Sequence, residues 1–173
     1  MGGEAEAAVA IVHARGPEEA ILLIRRATNP RDPWSGHWSF PGGRRDPEDA
    51  DLIATALREL REECSISLSR DALLQTLPFA SAGRRVGRQV VVAPFAFEIA
   101  QTVPVIADGR EAVEAIWTPV SLLKDISRHA RMPVPGLPPD MLWPSIALGD
   151  VPLWGFTYRM ICQWLAVPVE IDP

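Results

Sequence analysis

The sequence predicts an α/β fold built on a mixed central sheet. Apolar segments of strand length recur along the chain, one amphipathic helical pattern interrupts them after the first quarter, and a second lies near its end. Strand-length runs of Val, Ile, Leu and Ala bounded by turn residues mark the sheet, and apolar residues at helical spacing mark the helices.

Ala7 to Ala14 and Glu19 to Arg25 read as adjacent strands separated by the turn-forming Arg15-Gly16-Pro17. Ala27 to Gly43 holds three prolines and three glycines with Trp34, Trp38 and Phe40 interleaved, the composition of an ordered loop that lines something. A helix is expected from Asp46-Pro47-Glu48-Asp49 to about Cys64, because Asp is a good N-cap and Pro suits the first helical position. Leu52, Ile53, Ala56, Leu57, Leu60 and Cys64 form its apolar stripe, with Thr55 and the charged residues outside it. Leu73 to Pro78 and the buried-strand pattern of Gln89 to Ile99 follow, joined through a basic hairpin loop, Ser81 to Arg88. Glu114 to Thr118 reads as a short strand and Val120 to Ile126 as a short helix. Met132 to Pro144 reads as irregular, and Trp154 to Leu165 as a last helix ended by Val167-Pro168.

At 173 residues and 47% hydrophobic content, the chain is expected to fold as one domain spanning 1–173. A net charge of -5 argues against a nucleic-acid polymer as partner and leaves room for a small phosphorylated ligand. Cys64 and Cys162 show no zinc or disulfide spacing. The acidic Met1 to Glu6 start, the brevity of the Ala7 to Val12 apolar stretch, and the lack of any run near the ~20 residues that span a bilayer point to cytoplasmic residence without a membrane partner. The final Ile171-Asp172-Pro173 is not a peroxisomal address.

On a helix, Glu59, Glu62 and Glu63 share a face and bring three carboxylates close together. Such a run is ordinarily a solvated face, here partly neutralised by Arg58 and Arg61. Its context changes that reading. Phe40-Pro41-Gly42-Gly43 lies upstream, and a glycine pair lets the backbone turn tightly and offer a bare carbonyl to a ligand. Clustered carboxylates repel one another and are relieved by a hard cation such as Mg2+ or Mn2+.

The stretch from Gly43 to Ile66 resembles the Nudix box, G-x5-E-x7-R-E-U-x-E-E-x-G-U, through Arg58-Glu59-Leu60-Arg61-Glu62-Glu63 and Ile66. Ser65 stands where the box has glycine. Counted back from Arg58, Ala50 stands where it has its first acid, with Asp49 one residue earlier. The resemblance extends to the coenzyme A pyrophosphatase subgroup through Leu22-Leu23-Ile24-Arg25-Arg26-Ala27, Gly36 to Gly43, Thr55 to Glu59, and Trp154-Gly155-Phe156-Thr157. Ile24 replaces the usual threonine, and one extra residue lies between Arg31 and Gly36.

The resemblance implies a Nudix-type α/β/α sandwich that hydrolyses a small-molecule diphosphate with Mg2+ or Mn2+. It implies metal ligands at Glu59, Glu62, Glu63 and the Gly43 carbonyl, with a further acid from the later strands, for which Glu111 is the candidate and Glu114 its rival. Attack on a diphosphate needs charge neutralisation, aligned water and a base. Glu59 and Glu63 are assigned chiefly to metal, Glu62 to metal and base, Glu111 to an alternative base, and Arg58 to orienting Glu59 or its helix neighbours.

Arg25, Arg26 and Arg31 are the phosphate candidates, since guanidinium forks match phosphate oxygens. Trp38 and Phe40 are further substrate-binding candidates. Trp34 and Trp38 are placed either to stack on a base or to pack beneath the loop. His13, His37 and His129 read as structural. Coenzyme A or a derivative is the expected substrate. ADP-ribose, dinucleotides, oxidised nucleoside triphosphates and a non-catalytic nucleotide-binding role are the alternatives. A homodimer and a lid formed by 133–150 are left open.

Overall fold

A computed structural model describes residues 5–84 and 87–169. The expectations that fall on Met1 to Glu4, on Arg85 and Val86 of the basic hairpin loop, and on Ile171 to Pro173 lie outside the described residues.

The long strand β1 (Ala7–Gly16) is the axis of an eight-stranded mixed sheet. On one side it runs parallel to β7 (Val90–Gln101) from Ala7↔Val92 to Gly16↔Gln101. On the other it pairs antiparallel first with β4 (Gly42–Arg44), then near its end with β2 (Ala20–Arg26). A parallel pair needs a long crossover, and the chain between β1 and β7 supplies one that includes α1 (Leu52–Cys64). The sheet is completed by β3 (Trp38–Ser39) on β2, β8 (Ala112–Pro119) on β2, and β5 (Leu73–Thr76) and β6 (Ala80–Ala82) on β7.

Both faces of this sheet are covered, which is why its strands read as continuous apolar runs rather than alternations. Ala8, Ala10, Val12, Leu22 and Ile24 turn to one face and pack with Ala56, Leu60 and Cys64 of α1. Their neighbours Ile11, Ile21 and Leu23 turn to the other. There they meet Leu123 of α2 (Val120–Lys124), Ile146 of β10 (Trp143–Ile146), Leu153 of β11 (Leu153–Trp154) and Met160 and Ile161 of α3 (Gly155–Trp164). The expected three-layer α/β/α arrangement is therefore present. A small second sheet, in which β10 lies between β9 (His129–Met132) and β11, belongs to the α3 side.

Several segments differ from the sequence expectation: the expected loop Ala27 to Gly43 contains β3 and the start of β4, Ser81 and Ala82 of the expected hairpin loop belong to β6, and two further segments change more. The helix begins at Leu52, capped by Asp51, whose Oδ1 accepts from Ala54 N at 2.9 Å. Asp46 to Asp49 instead forms a turn, with Asp49 N donating to Asp46 O at 3.0 Å and Glu48 N to Asp46 Oδ1 at 3.0 Å. Proline after aspartate suits the second position of a β-turn as well as the first of a helix, and here the Asp46 side chain holds the turn. The stretch Met132 to Pro144, expected to be irregular throughout, has strand at both edges, with its irregular part between β9 and β10. Among the described residues no helix is long and apolar enough to cross a membrane.

Candidate metal centre and substrate cleft

The turn before α1 and the helix itself are joined by one ionic network. The Asp49 carboxylate, nearly buried, accepts from Arg58 Nε at 3.0 Å and Nη2 at 3.0 Å, from Thr55 Oγ1 at 2.9 Å and from Asp46 N at 2.9 Å. The Arg58 bonds are the main reason this carboxyl is held well below the usual carboxylate range. The other edge of Arg58 reaches the glutamates, with Nη1 donating to Glu59 Oε1 at 2.9 Å and Glu62 Oε2 at 3.0 Å. Arg58 thus ties Glu59 to the turn that carries Asp49. Asp49 and Thr55 are the members that sequence reasoning did not place, since Thr55 lay outside the apolar stripe and Asp49 stands nine residues before its partner.

Glu59, Glu63 and Glu111 come together, with one oxygen from each within 4.8 Å of the others. Glu63 is 2% exposed and accepts from Gly42 N at 2.9 Å. Burial pushes its carboxyl up to about 8, and the neighbouring Glu59 adds to the shift. Burial also raises Glu59, against the opposing pull of Arg58. Glu111 is exposed but its loop is set in place. The Asp108 carboxylate accepts from the N–H groups of Arg110, Glu111 and Ala112 at 3.1, 3.0 and 2.8 Å, and Asp108 N donates to Glu63 O at 3.2 Å. The Asp108-Gly109 pair is the turn signal that marks this loop in the sequence.

The glycine pair is required by close approach. A Cβ on Gly43 would collide with the Glu59 carboxylate, and one on Gly42 with the Ala8 carbonyl and the Val9 side chain. The donor set fits a hard divalent cation. It is all oxygen, it brings two buried carboxylates and one exposed one together, and it holds Glu63 where ionisation is costly unless positive charge is near.

Beside the carboxylates lies a cleft of about 770 Å³, lined by Gly42, Gly43, Glu59 and Glu111 at one part and by Trp34, Trp143 and Trp154 elsewhere. The sequence-nominated residues distribute unevenly around it. Arg26 and Arg31 line it, and Arg26 Nε donates to Asp32 at 2.7 Å. Arg25 is not among the lining residues: side chains alternate along β2, so Arg25 follows Ile21 and Leu23 to one face of the sheet and Arg26 follows Leu22 and Ile24 to the other. Arg25 instead grips Asp150 at 3.0 Å and Glu114 at 3.3 Å, which also keeps Glu114 out of the carboxylate cluster.

Trp38 and Phe40 reach the cleft only as its floor, at 5% and 2% exposure. Trp38 Nε1 donates to Leu148 O at 3.2 Å and Val151 O at 3.1 Å, so it packs beneath the loop. Glu62, nominated with the metal ligands, is exposed and bound to Arg58 rather than gathered with Glu59 and Glu63.

The remaining nominated groups are structural in their contacts. His129 joins Tyr158 and the Leu123 carbonyl, and His13 joins Glu19. His37 Nε2 donates to Pro135 O at 2.8 Å. Cys64 is a buried free thiol pushed up to about 12 by burial. The segment 133–150 is fastened to the cleft through its Pro135 and Leu148 carbonyls, which accept from His37 and Trp38, and away from the cleft through Asp150, which meets Arg25.

Comparison with known proteins agrees with this architecture. The chain is similar to a Yersinia pestis protein named as an uncharacterized Nudix hydrolase NudL, 49% identical over 63 residues, which are 36% of this chain and 31% of that protein. The match therefore spans about a third of the length of that relative. Among solved structures, a NUDIX hydrolase from Alicyclobacillus acidocaldarius superposes with a TM-score of 0.65 at 19% identity, covering 100% of both chains. The NUDIX domain of Shewanella oneidensis NrtR, solved with ADP ribose, superposes with a TM-score of 0.64 at 17% identity over 95% of this chain and 88% of that one. A family model described as the NUDIX domain matches residues 5–134, and with three quarters of its length inside that match the chain belongs to the Nudix domain family.

Proposed function

We propose that the protein is a metal-dependent hydrolase that cleaves the diphosphate linkage of a nucleoside-diphosphate-linked substrate. The substrate we favour is coenzyme A or a derivative, cleaved to 3′,5′-ADP and 4′-phosphopantetheine. The observation that carries this reading is the convergence of Glu59, Glu63 and Glu111 at the edge of a cleft large enough for a nucleotide. Glu59 and Glu63, with Glu111, would hold Mg2+ or Mn2+. Such an ion, when bound, neutralises phosphate charge and lowers the pKa of a coordinated water.

The chain's own groups supply the rest. Arg58, anchored on Asp49, fixes Glu59. Glu62, exposed and held by Arg58, is the carboxylate assigned to take a proton from the attacking water, with Glu111 the alternative base. Arg26 and Arg31 present guanidinium groups to phosphate oxygens along the cleft wall. Coenzyme A is favoured over other diphosphates by the Leu22 to Ala27, Gly36 to Gly43 and Trp154 to Thr157 segments. ADP-ribose is the second reading, since a solved structural neighbour holds it.

The test is to incubate pure protein and Mg2+ with coenzyme A, ADP-ribose, NADH and oxidised dGTP in parallel and identify products by mass. 3′,5′-ADP and 4′-phosphopantetheine from coenzyme A support the reading. Cleavage of ADP-ribose alone moves the substrate to the second reading, and no cleavage with either Mg2+ or Mn2+ removes the enzyme reading.

A further inference from the structure

The chain carries more acids than bases, 22 against 17, yet its cleft is lined by six arginines against three carboxylates. Three of those arginines are already engaged: Arg26 by Asp32, Arg44 by Glu6, and Arg159 by the Ser81 carbonyl. Arg31, Arg84 and Arg88 are exposed, and their side chains form no ion pair or hydrogen bond with a described residue. Elsewhere the described arginines mostly meet carboxylates, as Arg15 meets Glu98, Arg25 meets Asp150, Arg58 meets Asp49 and Arg70 meets Asp51. Arg61 and Arg110 also lack a side-chain partner among described residues, but neither lines the cleft.

The loops that carry the three guanidinium groups are held against each other. Arg84 and Arg88 lie in the β6–β7 connection, where Arg88 N donates to Gly83 O at 3.0 Å. Gly83 has φ +75, and a Cβ there would collide with the Arg88 carbonyl and lie 2.7 Å from Cζ2 of Trp34. The basic turn therefore rests on the indole of the loop that bears Arg31. Three positive side chains in one cleft that pair with no carboxylate among the described residues raise the local potential and leave donors open to an anion.

We propose that Arg31, Arg84 and Arg88 form a second anion subsite, separate from the carboxylate cluster, that binds a phosphate monoester on the substrate. It rests on the diphosphate-hydrolase reading for the identity of its ligand, and it narrows the substrate class to nucleoside diphosphate esters that carry an additional phosphate, as the 3′-phosphorylated adenosine half of coenzyme A does. ADP-ribose and dephosphorylated analogues lack that group.

The experiment is isothermal titration of the intact protein with 3′,5′-ADP and with 5′-AMP, which needs no turnover. The wild type is expected to bind 3′,5′-ADP at least about tenfold more tightly, in keeping with one added charge-assisted contact set. The Arg84→Ala/Arg88→Ala pair is expected to bring the two nucleotides within about twofold, with an unchanged thermal midpoint and a shallower salt dependence. Should that pair fail to fold, each single alanine replacement carries the test and is expected to reduce the preference severalfold. Equal binding of both nucleotides by the wild type, or an unchanged preference in the variants, overturns the proposal. A preference that is present and arginine-dependent in a protein that cleaves none of the tested diphosphates would remove the hydrolase reading and leave this subsite standing. Cleavage of coenzyme A without any such preference would do the reverse.

Discussion

Asp49 and Arg58 are joined by hydrogen bonds of 3.0 Å from both Nε and Nη2 of the guanidinium, and the same guanidinium holds Glu59 and Glu62 through Nη1. A turn residue is thereby connected, through one arginine, to a carboxylate of the candidate metal cluster. Partners that orient a ligand in this way typically contribute about 10–100-fold to metal affinity or activity. Asp49→Asn is therefore expected to lower Mn2+ affinity and kcat by about that factor with little change in KM, and Asp49→Glu to recover part of it. Titrating Mn2+ by electron paramagnetic resonance separates this positioning role from general destabilisation. Because the Asp49 carboxyl is depressed in the fold, its contribution to stability is present above about pH 4, the unfolded value, and lost as pH falls towards the folded one.

Glu63 behaves oppositely. Its carboxyl is pushed up to about 8 by burial. The stability it contributes in metal-free protein is complete below the ordinary glutamate value of 4.5 and declines as pH rises through about 8. Metal needs the ionised form, so Mg2+ binding at pH 7 should release about one proton per molecule and tighten as pH approaches 8. Calorimetry in two buffers of different ionisation enthalpy reads the proton directly. Identical heats in both would contradict the assignment.

Gly43 leaves no room for a methyl group beside Glu59. Gly43→Ala should displace that carboxylate and reduce turnover by about tenfold or more, since small misplacements in a site are costly. A crystal structure of the variant would show whether Glu59 has moved. An unmoved Glu59 with full activity would count against the packing described.

Ser65 closes α1 in the left-handed region at φ 58, with its N–H on the Arg61 carbonyl. An L-residue there costs roughly 1–2 kcal/mol, partly offset by the greater freedom glycine has when unfolded. Ser65→Gly should therefore stabilise the chain by about 0.5–1 kcal/mol in urea denaturation and leave turnover unchanged. A lower midpoint would show that the Ser65 side chain makes a contribution this geometry does not reveal.

The layers of the fold were legible because their signals are long. β1, β2, β7 and α1 each repeat a burial pattern over several residues, and both faces of the sheet are apolar. The short strands β3 and β4 have two and three residues and show no period to read. At the site, helical spacing put Glu59, Glu62 and Glu63 on one helix, but spacing alone does not say that Glu62 leans to Arg58 while Glu59 and Glu63 meet Glu111. Glu111 and Glu114 looked alike as acids beside a strand. They part because Asp108 holds the loop of the first and Arg25 takes the second. Arg25 and Arg26 were alike as phosphate candidates, but neighbours on a strand face opposite sides of the sheet, and only the packed structure shows which side holds the cleft.

In the proposed function, the buried carboxylate of Glu63, with Glu59 and Glu111, would hold the divalent ion on which diphosphate cleavage depends. The most direct test is the rate of coenzyme A cleavage against Mn2+ concentration for the wild type and for Glu63→Gln, which keeps the shape and hydrogen-bond acceptor but removes the charge. Saturable metal dependence is expected in the wild type and, in the variant, a loss of at least about 100-fold in rate at every metal concentration. Equal rates, or cleavage that persists after the metal is chelated, would contradict it.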